Sequence, residues 1–215
     1  MLLEAGCTKL NFAGGEPFLA PAMLLGMASY ARASGLYTSV ITNGLLAEPS
    51  DAFDMMGVSV DSFNPETNRR IGRATLDVDR LRGLREGSRA FKLNTVVSSL
   101  NLGEDFNARV DSIDPARWKL FQVLTVEDQN AGHGTEVSDA EFATFARRHP
   151  RAIPESNSVM ANSYLVLDEK LRFLDGETKR PIGPSILEDP GQVAAALARL
   201  DEASFLERAG DFYSS

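Results

Sequence analysis

Three pairs of polar side chains, each spaced by two within a short apolar run, stand out in this sequence: Lys9 and Asn11, Lys92 and Asn94, Arg117 and Lys119. In an extended strand residues i and i+2 share a face. Each pair therefore points one way while Leu10, Leu93 and Trp118 point the other. Neighbouring strands of this kind gather Lys9, Lys92, Arg117 and Lys119 on one surface of a chain whose net charge is −8. Crowding like charges out of water is costly without a counter-charge, and a polyanion supplies one. Phosphate oxygens accept from Lys, Arg and Asn amides together, so phosphate binding is the chemistry implied. The plainer alternative leaves each residue at a strand end in water, where most lysines sit.

A second constellation is Asn11-Phe12-Ala13-Gly14-Gly15-Glu16-Pro17-Phe18. Two glycines after an apolar strand let a ligand approach the backbone closely. Glu16 then projects from the carboxyl end of the strand, where parallel α/β folds bind ligands, and its carboxylate suits an ammonium group. The alternative is a glycine turn with Glu16 solvated. Weaker signals are Ser59 and Asp61 on one strand face with Arg73 able to return to the strand ends as a carboxylate or ribose contact, Thr42-Asn43-Gly44 as a turn, and the basic loop pair Lys179-Arg180. No nucleophile and base are paired. His149 reads as the end of a helix, stabilised by its dipole, and His133 has no catalytic context.

The elements that must carry these residues follow a βα rhythm. Strands are expected at 9–13, 38–42, 57–61, 90–97 and 117–126, with helices between them as parallel pairing requires. Asn64-Pro65-Glu66 is an N-cap followed by proline, Ser138-x-x-Glu141 is a capping box, and Asp189-Pro190 opens a helix to about Leu200 before a last short one at Asp201. Ser163–Asp168 and Leu171–Leu174, joined by Glu169-Lys170, predict a hairpin. The fold class expected is α/β: a partial (βα) barrel over 1–150, lacking its first strand, and a C-terminal extension over 151–215 in the same domain. With 215 residues, one cysteine and two histidines, a disulfide framework and a Cys/His-only zinc site are excluded. The acidic balance argues against nucleic acid. No apolar run reaches the roughly 20 residues that span a bilayer, and no signal-peptide pattern opens the chain, so a cytoplasmic protein is the expectation.

The run Lys9–Leu19 resembles the Gly-Gly-Glu-Pro strand of radical S-adenosylmethionine enzymes. Ser59–Phe63, Ile71-Gly72-Arg73, Phe91–Asn94, Arg117–Gln122, Pro154–Asn157, Ser163–Glu169 and Arg208-Ala209-Gly210 narrow the resemblance to the viperin family, over nearly the whole chain. It implies an enzyme that uses a 4Fe-4S cluster and an electron donor to cleave S-adenosylmethionine. The resulting radical takes a ribose hydrogen from a nucleoside triphosphate, commonly CTP, giving an antiviral 3′-deoxy-3′,4′-didehydro nucleotide. By the same resemblance Gly14, Gly15, Glu16, Ser59 and Arg73 hold S-adenosylmethionine, and Lys9, Lys92, Asn94, Arg117 and Lys119 hold the triphosphate. Lys179 or Arg180 adds a phosphate contact, and Tyr164 falls at a substrate-pocket tyrosine, the one position offered to catalysis.

Two departures qualify that picture. Ala13 stands where vertebrate members carry Ser, and the family's Cys-x3-Cys-x2-Cys cluster loop is absent, since Cys7 is single. Thiolates are needed to hold such a cluster, so the chain as it stands is expected to be an inactive portion of such an enzyme. The alternatives are a nucleotide-binding protein without turnover, and an unrelated phosphate-binding α/β protein.

Overall fold

A computed structural model describes residues 2–124, 134–157, 164–176, 178 and 180–199. Two compact units are present, Thr8–Glu155 and a second drawn from Met1–Cys7 and Ser156–Ser215.

The first unit is a six-stranded parallel sheet whose spatial order follows the chain: β1 (Lys9–Phe12), β2 (Tyr37–Thr42), β3 (Met55–Ser59), β4 (Phe91–Val97), β5 (Arg117–Gln122) and β6 (Ala152–Glu155). Parallel neighbours need crossovers. These are α1 (Pro21–Ala33), then α2 (Pro65–Ile71) with α3 (Val78–Glu86), α4 (Asn107–Ile113), and α5 (Asp139–Arg148). The crossover from β2 to β3 is a loop, anchored where Asp54 accepts from Thr38 N, Thr38 Oγ1 and Arg32 Nε. Helix starts follow the local chemistry read from sequence. Asn64 Oδ1 accepts from Glu66 N at 2.9 Å ahead of Pro65, and Ser138 and Glu141 form the full reciprocal capping box.

One apolar cluster joins four of these helices to one face of the sheet: Leu24 and Ala28 of α1, Leu81 and Leu84 of α3, Val110 and Ile113 of α4, Phe142 and Phe145 of α5, against Val40, Met56, Val58, Leu93, Trp118 and Leu120. Strand alternation sends the other set of side chains to the opposite face. His149 caps α5 but is wholly buried, against the rings of Phe106, Trp118 and Phe145. Its Nδ1 meets Phe145 O and its Nε2 accepts from Phe106 N. Burial pushes its pKa down, so the ring is a neutral core partner, and the expected charge–dipole role is corrected.

Three of the five expected strands lie close to their expected positions. The third begins earlier, at Met55, and ends at Ser59, leaving Asp61 beyond it. The fifth stops at Gln122, whose amide turns to Val137 O and Asp139 Oδ1. The sixth strand was not foreseen, because Ala152-Ile153-Pro154-Glu155 is short and proline usually argues against a strand. At a sheet edge the missing N–H is tolerated, and among the described residues β6 pairs with β5 alone. It carries the sheet past residue 150.

In the second unit β7 (Val166–Leu167) and β8 (Phe173–Leu174) form the expected antiparallel hairpin, shortened. Asp168 fills the turn by accepting from Lys170 N, Arg172 N and Arg172 Nε. The final described helix, α6 (Gly191–Leu197), has Asp189 Oδ1 accepting from Gly191 N. The helix expected at Asp201 lies outside the described residues, as do His133 and Lys179.

Candidate functional site

Register settles which side chains of the helix-free face meet. Gly57, Lys92 and Arg117 form one row across β3, β4 and β5; Ser59, Asn94, Lys119 and Ile153 form the next, from β3 to β6. Lys9 lies further across the same face on β1, in register with Tyr37 and with its Nζ 5.2 Å from that ring's centre. The structure thus brings Lys9, Lys92, Asn94, Arg117 and Lys119 to one surface, as the spacing by two predicts. Gly57 makes this possible. A Cβ there would lie 2.7 Å from Lys92 Cε and 2.6 Å from Ile41 Cδ1, so glycine gives the lysine stem room to cross β3 that a larger residue would take unless Lys92 and Ile41 shifted.

The electrostatics are those of a crowded cationic floor. Burial, then the charges of Lys9 and Lys119, lower the Lys92 pKa to about 7, while Glu155 opposes them. Glu155, 2% exposed, is ion-paired through Oε1 with Lys119 Nζ, itself 8% exposed. Sequence reasoning missed this residue. It left the cations with no protein counter-charge, and the structure corrects that, because the unforeseen sixth strand carries one carboxylate onto the face. Asn94, 8% exposed, has a buried Oδ1 with no hydrogen-bond partner. A buried acceptor left open is costly.

At the carboxyl ends of β1 to β3 lies the second group. Gly14 and Gly15 have φ of 88° and 40°, and a Cβ on either would meet nothing within 4 Å. The backbone is therefore open to approach here. Glu16 is half-buried and held by the protein: Oε1 accepts from Phe18 N at 3.1 Å and Thr42 Oγ1 at 2.7 Å, and Oε2 from Asn43 N at 2.7 Å. A carboxylate offers about four acceptor directions, so one remains for an ammonium. Glu16→Ala is expected to cost about 1–2 kcal/mol by freeing the N–H groups of Phe18 and Asn43; an unchanged urea midpoint would contradict this.

Ser59, half-buried, ends β3. Arg73 reaches back as expected, but to a protein partner, pairing through Nε with Asp61 Oδ2. Asp61, 3% exposed, also accepts from Val96 N. Burial pushes its carboxyl up against those two stabilising contacts. Tyr164 and Arg180 are exposed members of the second unit.

With that geometry in place, the relatives are informative. An S-adenosylmethionine-dependent nucleotide dehydratase of Danio rerio, RSAD2, is 37% identical over 99% of this chain and 67% of its own length. This chain belongs to the S-adenosylmethionine-dependent nucleotide dehydratase family. The Oncorhynchus mykiss member of that name is 34% identical over 99% of the chain and 69% of its own, and the Flammeovirga pacifica dehydratase 35% identical over 82% and 67%. The viperin resemblance and the reading as an enzyme family are borne out. No protein-family profile matches the chain. A domain of a pyruvate-formate lyase-activating enzyme from Bacteroides vulgatus superposes with a TM-score of 0.55 at 13% identity, over 68% of this chain and 98% of that one. Streptococcus suis SuiB bound to S-adenosylmethionine gives 0.50 at 10% identity, over 69% and 39%. At such identities the likeness is one of fold, and it supports the expected radical S-adenosylmethionine type of α/β sheet.

The sequence holds one cysteine, and among the described residues no group of three or more His, Cys, Asp or Glu is placed to hold a metal. The residues present do not fit an iron–sulfur cluster, which needs several thiolates. No helix among the described residues is long and apolar enough to cross a membrane.

Proposed function

We propose that this chain carries the substrate side of a viperin-type dehydratase, with a nucleoside triphosphate on the helix-free face and CTP the preferred one. The product is the 3′-deoxy-3′,4′-didehydro nucleotide. The observation that carries the reading is the sheet face itself: four cations of three strands around the unpartnered Asn94 Oδ1. Lys9, Lys92, Arg117 and Lys119 suit phosphate oxygens, as charged donors do. Asn94 Oδ1 is an acceptor, so it suits a ribose hydroxyl rather than a phosphate oxygen. Such a contact fixes the sugar while the cations fix its tail, and orientation of this kind is a large part of catalysis.

Gly14, Gly15 and Glu16 fit S-adenosylmethionine, the glycines by open backbone and Glu16 by its remaining acceptor direction, with Ser59 beside them. When bound, this cofactor is the source of the radical that takes a ribose hydrogen in the family. Arg73 serves through Asp61, buttressing the end of β3. By the resemblance alone, Tyr164 falls at a substrate-pocket tyrosine and Lys179 or Arg180 at a further phosphate contact. One cysteine cannot supply a cluster's thiolates, so this chain by itself binds nucleotide without cleaving S-adenosylmethionine. An electron donor is a partner the family's radical chemistry requires, and cytoplasm is the compartment expected.

Isothermal titration with CTP, ATP and cytidine tests the reading. CTP is expected to bind in the micromolar range, more tightly than ATP and about a hundredfold more tightly than cytidine, which offers the cations nothing. Asn94→Leu is expected to weaken CTP roughly tenfold, one good hydrogen bond's worth, and to leave tripolyphosphate unaffected. Equal affinity for CTP and cytidine, or no binding of either, would overturn it.

A further inference from the structure

Among the residues of β1 to β6, Glu155 is the single acidic side chain, and it stands on the face that carries all four strand cations. Its position is specific. Lys119 is in register with Ile153, and Glu155 with Phe121, two residues further along. The lysine therefore leans along the strands towards their carboxyl ends to reach Glu155, and the two are ion-paired with both side chains nearly sequestered, 10% and 3% exposed. A buried carboxylate beside a site meant for a polyanion repels the ligand. Its presence calls for a compensating role.

We propose that Glu155 is a positioning residue of the polyanion site: it holds Lys119 in place and offsets the crowding of cations around Lys92 on the same face, so that the face is charged before an anionic ligand arrives. This rests on the phosphate reading above and deepens it. Four charged groups act on Lys92: Lys9 of β1, Lys119 and Arg117 of β5, and Glu155 of β6. The three cations disfavour its proton, and Glu155 alone favours it. Tyr37 of β2 lies in register with Lys9, and β3 presents no ionisable group. Anions bind a protonated Lys92 better, so wild-type affinity is highest at acid pH and falls as pH rises above about 7. Removing the Glu155 charge moves that fall to lower pH.

The test is calorimetric titration with inorganic tripolyphosphate from pH 5.5 to 9, with NMR of the lysine side chains to follow Lys92 without ligand. Glu155→Gln keeps an oxygen for Lys119 and removes the charge. It is expected to shift the start of the fall, and the Lys92 midpoint, down by about one pH unit, leaving affinity at pH 8 roughly tenfold below wild type. Glu155→Asp, which restores the charge, should return the midpoint towards wild type. Ile153→Glu, at a 40% exposed position in register with Lys119, adds a carboxylate and should move both readouts up. It carries the test if Glu155→Gln does not fold. Unchanged profiles in the folded variants, with tripolyphosphate still bound, overturn the role of Glu155 alone. Absence of wild-type binding at pH 5.5 overturns the phosphate reading as well.

Discussion

Lys92→Met is expected to make the protein more stable and much weaker at binding CTP. In an unfolded chain a lysine keeps its proton to about pH 10.5, whereas in the fold Lys92 loses it at about 7. Each unit of that difference corresponds to about 1.4 kcal/mol, which bounds the destabilisation by a charged Lys92 at roughly 5 kcal/mol. Relaxation and residual water reduce this, so a gain of about 2–4 kcal/mol is expected at pH 7 and below, where lysine is charged in both states. A rise of roughly 5–10 °C in melting temperature corresponds to that gain in a chain of this size. Between pH 7 and 10.5 the unfolded state binds the extra proton, so wild-type stability climbs with pH and the advantage of methionine shrinks. Methionine keeps the unbranched stem that crosses Gly57, so the packing changes little. A charge-assisted contact with phosphate disappears, and CTP affinity falls about tenfold to a hundredfold. Scanning calorimetry at pH 6.5 and 9.5, with CTP titration at the lower pH, decides the matter. A variant melting at or below wild type at pH 6.5 would mean that Lys92 carries no such strain.

That tension between stability and binding was legible in the sequence only in part. Lys9, Lys92, Asn94, Arg117 and Lys119 announced a common face because strand period is local, and parallel register keeps local period coherent across strands. Asn64-Pro65 and Ser138-x-x-Glu141 were legible for the same reason, since a cap is a contact of two or three residues. What escaped were contacts that depend on distant chain. Glu155 reaches Lys119 only because a proline-bearing tetrapeptide is admitted as an edge strand. Arg73 turns to Asp61 because β3 ends at Ser59 and leaves that carboxylate buried and in need of a cation. Glu16 is gripped by Thr42 and Asn43 from the next strand, which its own run does not disclose. His149 looked like a helix end because it is one; that its ring fills the core follows from Phe106 and Trp118, separated from it by 43 and 31 positions.

Phe106→Ala, on the opposite side of the sheet, is expected to have the converse effect: lower stability with CTP affinity retained. Phe106 is 1% exposed, and its ring centre lies 5.7 Å from Phe63, 5.9 Å from Trp118 and from Phe145, and 5.8 Å from His149. Its ring neighbours are themselves bulky aromatic side chains packed in the core, so transfer and cavity costs add to about 3–5 kcal/mol. The melting temperature should fall by roughly 10 °C. The Phe106 N–H that holds His149 Nε2 belongs to the backbone and survives the change, so the neutral imidazole keeps its orientation and the loss is one of packing. Lys92 and Arg117 project to the other face. CTP affinity at 10 °C, where the variant remains folded, should stay within about threefold of wild type. The double variant Lys92→Met with Phe106→Ala then discriminates sharply. If the helix side of the sheet supplies stability and the open side supplies binding, the two stability changes sum to within about 0.5 kcal/mol, as independent sites do. A larger coupling, or a tenfold loss of CTP binding in Phe106→Ala alone, would show that core packing sets the positions of the cations through β4 and β5.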